Sequence, residues 1–317
     1  MTLMNCSLLS CPSEDDRSFG MDDYEGPTPR WCPGCGDHAI LTSVQRLLIK
    51  EQLKPENTVF TSGIGCSSRF PHYLKTFGFH SLHGRALPVA TGIKLARPDL
   101  DVFVVMGDGD CCSIGAGHWI HAIRYNIDMT VLLLDNNIYG LTKKQTSPTT
   151  PQGLKSNTQP RGSFLPPLNP LVTTLGVTNA SFVAQTADWM PSHMAMTIEA
   201  AHKHKGFSFV RILQRCPVFT PDVFQDAVMN PDNMEILVHA DGITDPSLER
   251  VYKNQAFHDP MDINEARRLG SADDKVRVGL FFRDQSFPQY EVLRTVPKRT
   301  AEEKINLLNA ELDRYAV

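Results

Sequence analysis

Asp108 lies between two glycines in Gly107-Asp108-Gly109-Asp110, and a second polar cluster, Asp135-Asn136-Asn137-Ile138-Tyr139-Gly140, stands further along the chain. Each follows an apolar run, Asp101 to Met106 and Met129 to Leu134. A carboxylate, an amide oxygen and a main-chain carbonyl are hard oxygen ligands. Mg2+ takes about six of these in a near-octahedral shell, commonly one or two from protein carboxylates and others from phosphate and water. Asp108, the Asn136 amide oxygen and the Ile138 carbonyl would supply three, and two diphosphate oxygens and a water would complete the shell. Gly107 and Gly109 let the backbone approach an anion, and a helix start near Ser113 adds N–H groups and a favourable dipole.

A second set of residues is sulfur chemistry. Trp31-Cys32-Pro33-Gly34-Cys35-Gly36 is a CxxC knuckle, Cys66 sits in Gly63-Ile64-Gly65-Cys66-Ser67-Ser68-Arg69, and Cys216 follows the run Phe207 to Leu213. Four thiolates suit zinc or an iron-sulfur cluster. One knuckle with two distant single cysteines inclines towards the cluster and leaves zinc open. Cys111 and Cys112, at a helix start, read as small buried hydrophobes. His83-Gly84-Arg85 forms a loop whose imidazole and guanidinium could reach a diphosphate or a substrate. His118 and His121 are three apart on a helix but read as ordinary core or surface residues. His202 and His204 suit a helix end.

These side chains need a scaffold that gathers them. Helical spacing marks His38 to Leu53, Ala86 to Ala96, Ser113 to Tyr125 and Pro191 to Lys203. Strands are expected at Thr58 to Ser62, Asp101 to Met106, Met129 to Leu134, Ser181 to Gln185 and Phe207 to Leu213. The alternation predicts an α/β fold, a parallel sheet flanked by helices with right-handed crossovers. Strands of such a sheet end on one edge, where open α/β sheets bind ligands, so Cys66, Asp108, Asn136 and Cys216 should meet there. Thr142 to Pro170 has neither pattern, and a loop of that length is usually functional. Residues 1–30 read as a mobile N-terminal arm and 31–221 as the binding domain. Residues 222–317 read as a C-terminal extension, packing on core or partner, with a helix from Thr300 to Tyr315.

Composition narrows the class. The 317 residues are 41% hydrophobic and 21% charged, as in globular proteins. A net charge of −4 gives no reason to expect nucleic acid. No apolar run reaches the roughly eighteen residues of a membrane span. Leu8-Leu9-Ser10-Cys11 imitates a lipoprotein site, but no basic residue precedes it. Eight cysteines are too sparse for a disulfide scaffold and point to a reducing, cytoplasmic setting.

WCPGCGDHAIL, SGIGCSSRFP, LHGRALPVATGIKLA, GDGD, DNNIYGLTKKQTSPTT and the isolated Cys216 together resemble the beta, thiamine-diphosphate-binding subunit of 2-oxoacid:ferredoxin oxidoreductases, from about Trp31 to Cys216. The resemblance implies one 4Fe-4S cluster on Cys32, Cys35, Cys66 and Cys216. It also implies thiamine diphosphate lined by Ile64, Gly65, Cys66, Ser67, His83, Gly109, Asp110, Gly140 and Leu141, with Mg2+ on Asp108, Asn136 and Ile138. It associates Arg69 and Lys143 with substrate recognition. The implied reaction is decarboxylation of a 2-oxoacid with acyl transfer to coenzyme A and electrons passed to ferredoxin, reversible as CO2 fixation. An alpha subunit would supply the activating Glu, giving an (alpha-beta)2 assembly. A second substrate carboxylate must be paired if buried, so Arg69 and Lys143 favour 2-oxoglutarate over pyruvate. The competing readings are a thiamine decarboxylase or acetolactate-synthase relative, and a non-catalytic zinc- or cluster-bearing subunit.

Overall fold

Met129–Asp135 is buried at every position, and a strand without polar alternation needs cover on both faces. The computed structural model, which describes residues 17–240, 242–243, 245–294 and 299–315, supplies that cover. The first elements are α1 (Met21–Tyr24), α2 (Asp37–Lys50), β1 (Thr58–Ser62), β2 (Phe77–His80), α3 (Ala86–Ala96), β3 (Asp101–Gly107), α4 (Ala116–Tyr125) and β4 (Met129–Asp135). Then come α5 (Pro170–Leu175), β5 (Phe182–Ala187), α6 (Pro191–Lys203), β6 (Phe207–Leu213), α7 (Gln225–Met229) and β7 (Met234–Val238). Last are β8 (Gln255–Phe257), α8 (Ile263–Ser271), β9 (Val276–Arg283), α9 (Tyr290–Leu293) and α10 (Ala301–Asp313).

The nine strands form one sheet in the order β2-β1-β3-β4-β6-β5-β9-β7-β8. From β2 to β5 all pairings are parallel. Alternate side chains of β3 divide the core. Val102, Val104 and Met106 face a cluster built with α3, α4, α5 and α8. Phe103 and Val105 face the one built with α2 and α6. The register pairs Ser62 with Val105, Gly107 with Leu134 and Asp135 with Leu213, so β1, β3, β4 and β6 end together.

Three expectations need correction. The N-terminal arm is docked over its described part: the Tyr24 ring is fully buried and its hydroxyl donates to the carbonyls of Leu48 (3.1 Å) and Leu53 (2.7 Å). Residues 1–16 lie outside the described residues. The extension after 221 does not merely pack on the core. Its β9 pairs antiparallel with β5, Phe182 opposite Arg283, and β7 and β8 continue the sheet. The helix expected from Ser113 begins instead as a π-turn over Asp110–Ile114 before α4. Such turns are rare and are frequent at functional sites.

The two faces also bury histidines. His193 in α6 is fully buried with its Nδ1 2.9 Å from the Thr186 hydroxyl, and burial lowers its pKa to about 4. Burial lowers His204 to about 4 as well. Both folded values fall below the ordinary value of about 6.5, so the unfolded chain binds protons first as pH drops. Their contribution to stability is therefore intact above about pH 6.5 and is lost between there and about pH 4, by up to roughly 3 kcal/mol per histidine. Urea unfolding should show a lower midpoint at pH 5 than at pH 7.5. His193→Asn should be less stable at pH 7.5 but show a shallower dependence on pH, and an unchanged slope would contradict this account.

Candidate active site

Asp108 and Asp135 follow and end adjacent strands, and both are buried, 2% and 0% exposed. Two acids side by side away from water need compensation. The loop expected over Thr142–Pro170, free of helix and strand until α5 begins at Pro170, provides part of it. Ser147 Oγ donates to Asp108 Oδ2, and Thr149 Oγ1 lies within hydrogen-bond reach of both acids, 2.7 Å from Asp108 Oδ2 and 2.8 Å from Asp135 Oδ1. Arg211, from the middle of β6, closes on Asp135 Oδ2 through Nε at 2.8 Å and its terminal nitrogen at 2.6 Å. The Asp135 charge is thus paired with a cation, while Asp108 meets only neutral donors, the two hydroxyls and the Gly109 backbone. Burial, and then the nearby Asp135, push Asp108 up to about 7.

Asn137 takes the left-handed conformation at φ 60°. Its amide donates to Asp135 Oδ1 at 2.8 Å, and the Asn136 side-chain oxygen accepts from the Ile138 N–H at 3.2 Å. The turn thereby brings Asn136 and Ile138 to the same cavity as Asp108. Gly109 faces the Tyr139 ring so closely that an added Cβ would lie 2.0 Å from it, and the Tyr139 hydroxyl donates to the Gly109 carbonyl at 3.0 Å.

Asp110 fastens the opposite wall. Its Oδ1 accepts from the N–H groups of Ile64 (3.2 Å) and Gly84 (2.6 Å) and contacts His83 Nδ1 at 2.8 Å. A carboxylate partner favours the proton on Nδ1, leaving Nε2 for a bound group. Arg85 departs from expectation. Its guanidinium caps the carbonyls of Gly84 and Ile114 and does not line the cavity.

The cavity between these walls measures about 330 Å3 and is lined by Ile64, Gly65, Cys66, Ser67 and His83 on one side. Asp108, Gly109, Asp110, Asn136, Ile138, Gly140 and Leu141 complete it, with Tyr139 and Thr142. At Gly65, φ is 129° and a Cβ would meet no protein atom within 4 Å, so open space adjoins the cavity wall there.

A second cavity of about 190 Å3 shares Cys66, Asn136, Gly140 and Leu141 with the first. Cys32, Cys35, Cys66 and Cys216 all line it, and so do Arg69 and Lys143. A Cβ on Gly140 would stand 3.6 Å from the Cys66 sulfur and 4.0 Å from that of Cys216. Burial, then Asp37, pushes the Cys66 thiol up to about 12, and burial raises Cys35 as well. Thiols so placed stay protonated until a metal's charge draws the proton off. Cys111 and Cys112 are buried elsewhere, 0% and 7% exposed, among the hydrophobes beneath α4.

Several functional candidates were missed from sequence. Arg30, assigned to the arm, lines the second cavity. Tyr73 anchors it, its hydroxyl accepting the Arg30 N–H at 3.1 Å while its ring lies 5.9 Å from the Arg69 guanidinium. No Asp or Glu lines this cavity. Asp135, Ser147, Thr149 and Arg211 were also missed. The DNN and TSPTT strings carried a signal for the first three, whereas Arg211 sits inside an apolar strand.

An edge of glycine turns and buried acids over a parallel sheet defines a diphosphate-binding domain. The family described as thiamine pyrophosphate enzyme, C-terminal TPP binding domain, matches residues 63–212. The chain belongs to the beta subunits of the 2-oxoacid:ferredoxin oxidoreductases: the subunit from a Sulfolobus species is 37% identical over 272 residues, covering 82% of this chain and 84% of that one. The 2-oxoglutarate oxidoreductase subunit KorB of Mycobacterium tuberculosis is 49% identical over 213 residues, 67% of this chain but only 57% of that relative's length. A solved 2-oxoglutarate:ferredoxin oxidoreductase from Magnetococcus marinus, with 2-oxoglutarate, coenzyme A and succinyl-CoA bound, matches at TM-score 0.76 and 35% identity, covering 91% of this chain and 96% of its own. A beta subunit is one part of a multi-subunit enzyme.

The Gly109–Tyr139 contact is directly testable. Gly109→Ala should weaken thiamine diphosphate binding by roughly ten-fold or more, in line with an overpacking cost of about 1–3 kcal/mol. Gly109→Ala combined with Tyr139→Ala restores the room and should recover part of the affinity by calorimetry. Undiminished binding by Gly109→Ala alone would remove the turn from the site.

Proposed function

We propose that the chain is the thiamine-diphosphate-binding subunit of a 2-oxoglutarate:ferredoxin oxidoreductase, converting 2-oxoglutarate, coenzyme A and oxidised ferredoxin to succinyl-CoA, CO2 and reduced ferredoxin, reversibly, in the cytoplasm. The observation that carries this reading is the shared wall: Cys66 and Gly140 line both the diphosphate cavity and the cavity of the four cysteines. A thiamine decarboxylase has no use for four thiols there.

Asp108, the Asn136 side-chain oxygen and the Ile138 carbonyl would hold Mg2+. A divalent cation suits a buried carboxylate that has no cationic partner, and the open space at Gly65 suits a cofactor. Cys32, Cys35, Cys66 and Cys216 would hold a 4Fe-4S cluster. Zinc needs four sulfurs at about 2.3 Å from one point. The four thiols line a chamber of about 190 Å3, which suits a multi-atom cluster better than a single ion. Thiamine diphosphate supplies a nucleophilic carbon and an electron sink for loss of CO2, and a cluster accepts electrons singly.

The chain's own residues bind and orient. Ile64, Gly65, Ser67, Gly109, Asp110, Gly140 and Leu141 would contain the cofactor, and His83, fixed through Nδ1, would offer Nε2 to cofactor or substrate. Arg69 and Lys143 would pair with the distal carboxylate, with Arg30 beside them. Lys143 and Lys144 both occupy the left-handed region, at φ 72° and 62°, where non-glycine residues are costly. Asn157 binds their carbonyls and keeps that turn. No glutamate lines the first cavity, while Ile64 and Leu141 at its wall are 37% and 45% exposed. Both facts support an alpha subunit that covers the mouth and supplies the activating Glu, in an (alpha-beta)2 assembly.

Anaerobically purified protein should contain about four irons and as much acid-labile sulfide per chain. Cys216→Ser should bleach the visible absorbance and Cys111→Ser should not. Stoichiometric zinc without iron would overturn the cluster assignment.

Substrate choice has its own test in the assembled complex. Lys143→Ala or Arg69→Ala should lower kcat/KM for 2-oxoglutarate by roughly ten-fold or more, as for a lost charged contact of about 1.5–3 kcal/mol. Activity on pyruvate should fall much less. Equal losses on both would move these cations to a step the substrates share.

A further inference from the structure

Beyond the four cysteines, two buried side chains meet the Cys35 sulfur: the Asp37 carboxyl, which can only accept when ionised, and the Gln214 amide, which donates. Gln214 follows β6, is 1% exposed, and stands two residues before Cys216. Its backbone N–H donates to the Asp135 carbonyl at 3.0 Å, fixing the residue to the end of β4. Its Nε2 lies 2.7 Å from the Arg215 carbonyl and 3.3 Å from Cys35 Sγ. A carbonyl can only accept, so the atom facing it is the nitrogen, and the same NH2 has a second hydrogen for the sulfur.

A glutamine kept only to fill space would be satisfied at both ends. Here Oε1 is buried without a partner, which is unfavourable. An apolar residue of similar shape would avoid that cost. The residue is explained by what its NH2 does. Among the described residues, no other side-chain nitrogen is within hydrogen-bond reach of the sulfurs of Cys32, Cys35, Cys66 or Cys216.

We propose that Gln214 is a positioning residue that donates an N–H···S hydrogen bond to Cys35 and so raises the reduction potential of the cluster. This rests on the cluster reading above. Reduction adds an electron to a thiolate-ligated centre, and a donor aimed at a ligand sulfur stabilises the added negative charge. Hydrogen bonds to sulfur are among the factors that set cluster potentials. Removing the donor should disfavour the reduced form.

The test uses the anaerobically assembled complex as wild type, Gln214→Leu and Gln214→Glu, with iron and sulfide measured first and the midpoint then taken by EPR-monitored redox titration. At the wild-type midpoint the ratio of reduced to oxidised cluster should fall about three- to ten-fold in Gln214→Leu. Ten-fold is about 59 mV for one electron. Gln214→Glu keeps the side chain's size but puts an acceptor at the sulfur, so its midpoint should fall at least as far. It also answers the question if the leucine variant loses iron. An unchanged or raised midpoint in an iron-replete variant would overturn the proposal and leave the cluster reading standing. Absence of iron from wild type would instead remove the cluster reading itself.

Discussion

The site is organised around two carboxylates that a parallel sheet brings side by side. Asp108 and Asp135 are adjacent because β3 and β4 are in register, Gly107 opposite Leu134, and both are inside the protein. Charges so placed must be paired or neutralised. Arg211 pairs one of them, while the other meets only neutral donors, the hydroxyls of Ser147 and Thr149 and the Gly109 backbone. That asymmetry leaves Asp108 without a cationic partner and makes Asp135 the anchor that holds Asn137, Thr149 and Arg211 around it. The long loop is ordered by the same need, since Thr149 joins both acids and Thr150 donates to the Asn137 carbonyl at 2.6 Å.

The two cavities are neighbours for the same topological reason. Cys66 follows β1, Cys216 follows β6, and the β4 turn containing Gly140 lies between them. The knuckle is brought over by contacts that join distant parts of the chain. The Trp31 indole donates to the Cys66 carbonyl at 2.7 Å, and the Gly36 N–H to the Arg215 carbonyl at 3.1 Å. Gly36 tolerates no side chain, because a Cβ there would lie 1.7 Å from Asp188 Oδ2. Asp188 in turn binds the Arg215 side chain at 2.7 Å. The chamber of the four cysteines is thus built as a rim of the diphosphate cavity rather than as a separate module.

What could be read from sequence divides by the range of the determining contact. Asp108, Asn136, Cys66 and Cys216 were legible because each follows an apolar run, and one rule about parallel strands then places them on one edge. The helices Ala86–Ala96 and Pro191–Lys203 were legible from their period, and strand Phe207–Leu213 from its apolar run. Tyr24 and Arg30 were not, because they lie in a polar stretch whose order comes from partners at Leu48, Leu53 and Tyr73. The apolar run of β9 was passed over amid charged neighbours, and β2 offers no buried position. Arg211 was hidden because its partner ends a different strand. Gln214 was hidden because its meaning depends on a cysteine at the other end of the domain.

The second cavity gathers positive charge at the same edge of the fold. Arg30, Arg69 and Lys143 line it without any carboxylate, and Tyr73 holds the first two through its hydroxyl and its ring. A cluster ligated by four thiolates would bring negative charge to the same wall, and a substrate carboxylate would compete for whatever positive potential remains. The cations are held in different ways: Arg69 is half-buried over Tyr73, whereas Lys143 is exposed on a turn fixed by Asn157, so the chamber carries positive charge both against its inner wall and at its exposed side.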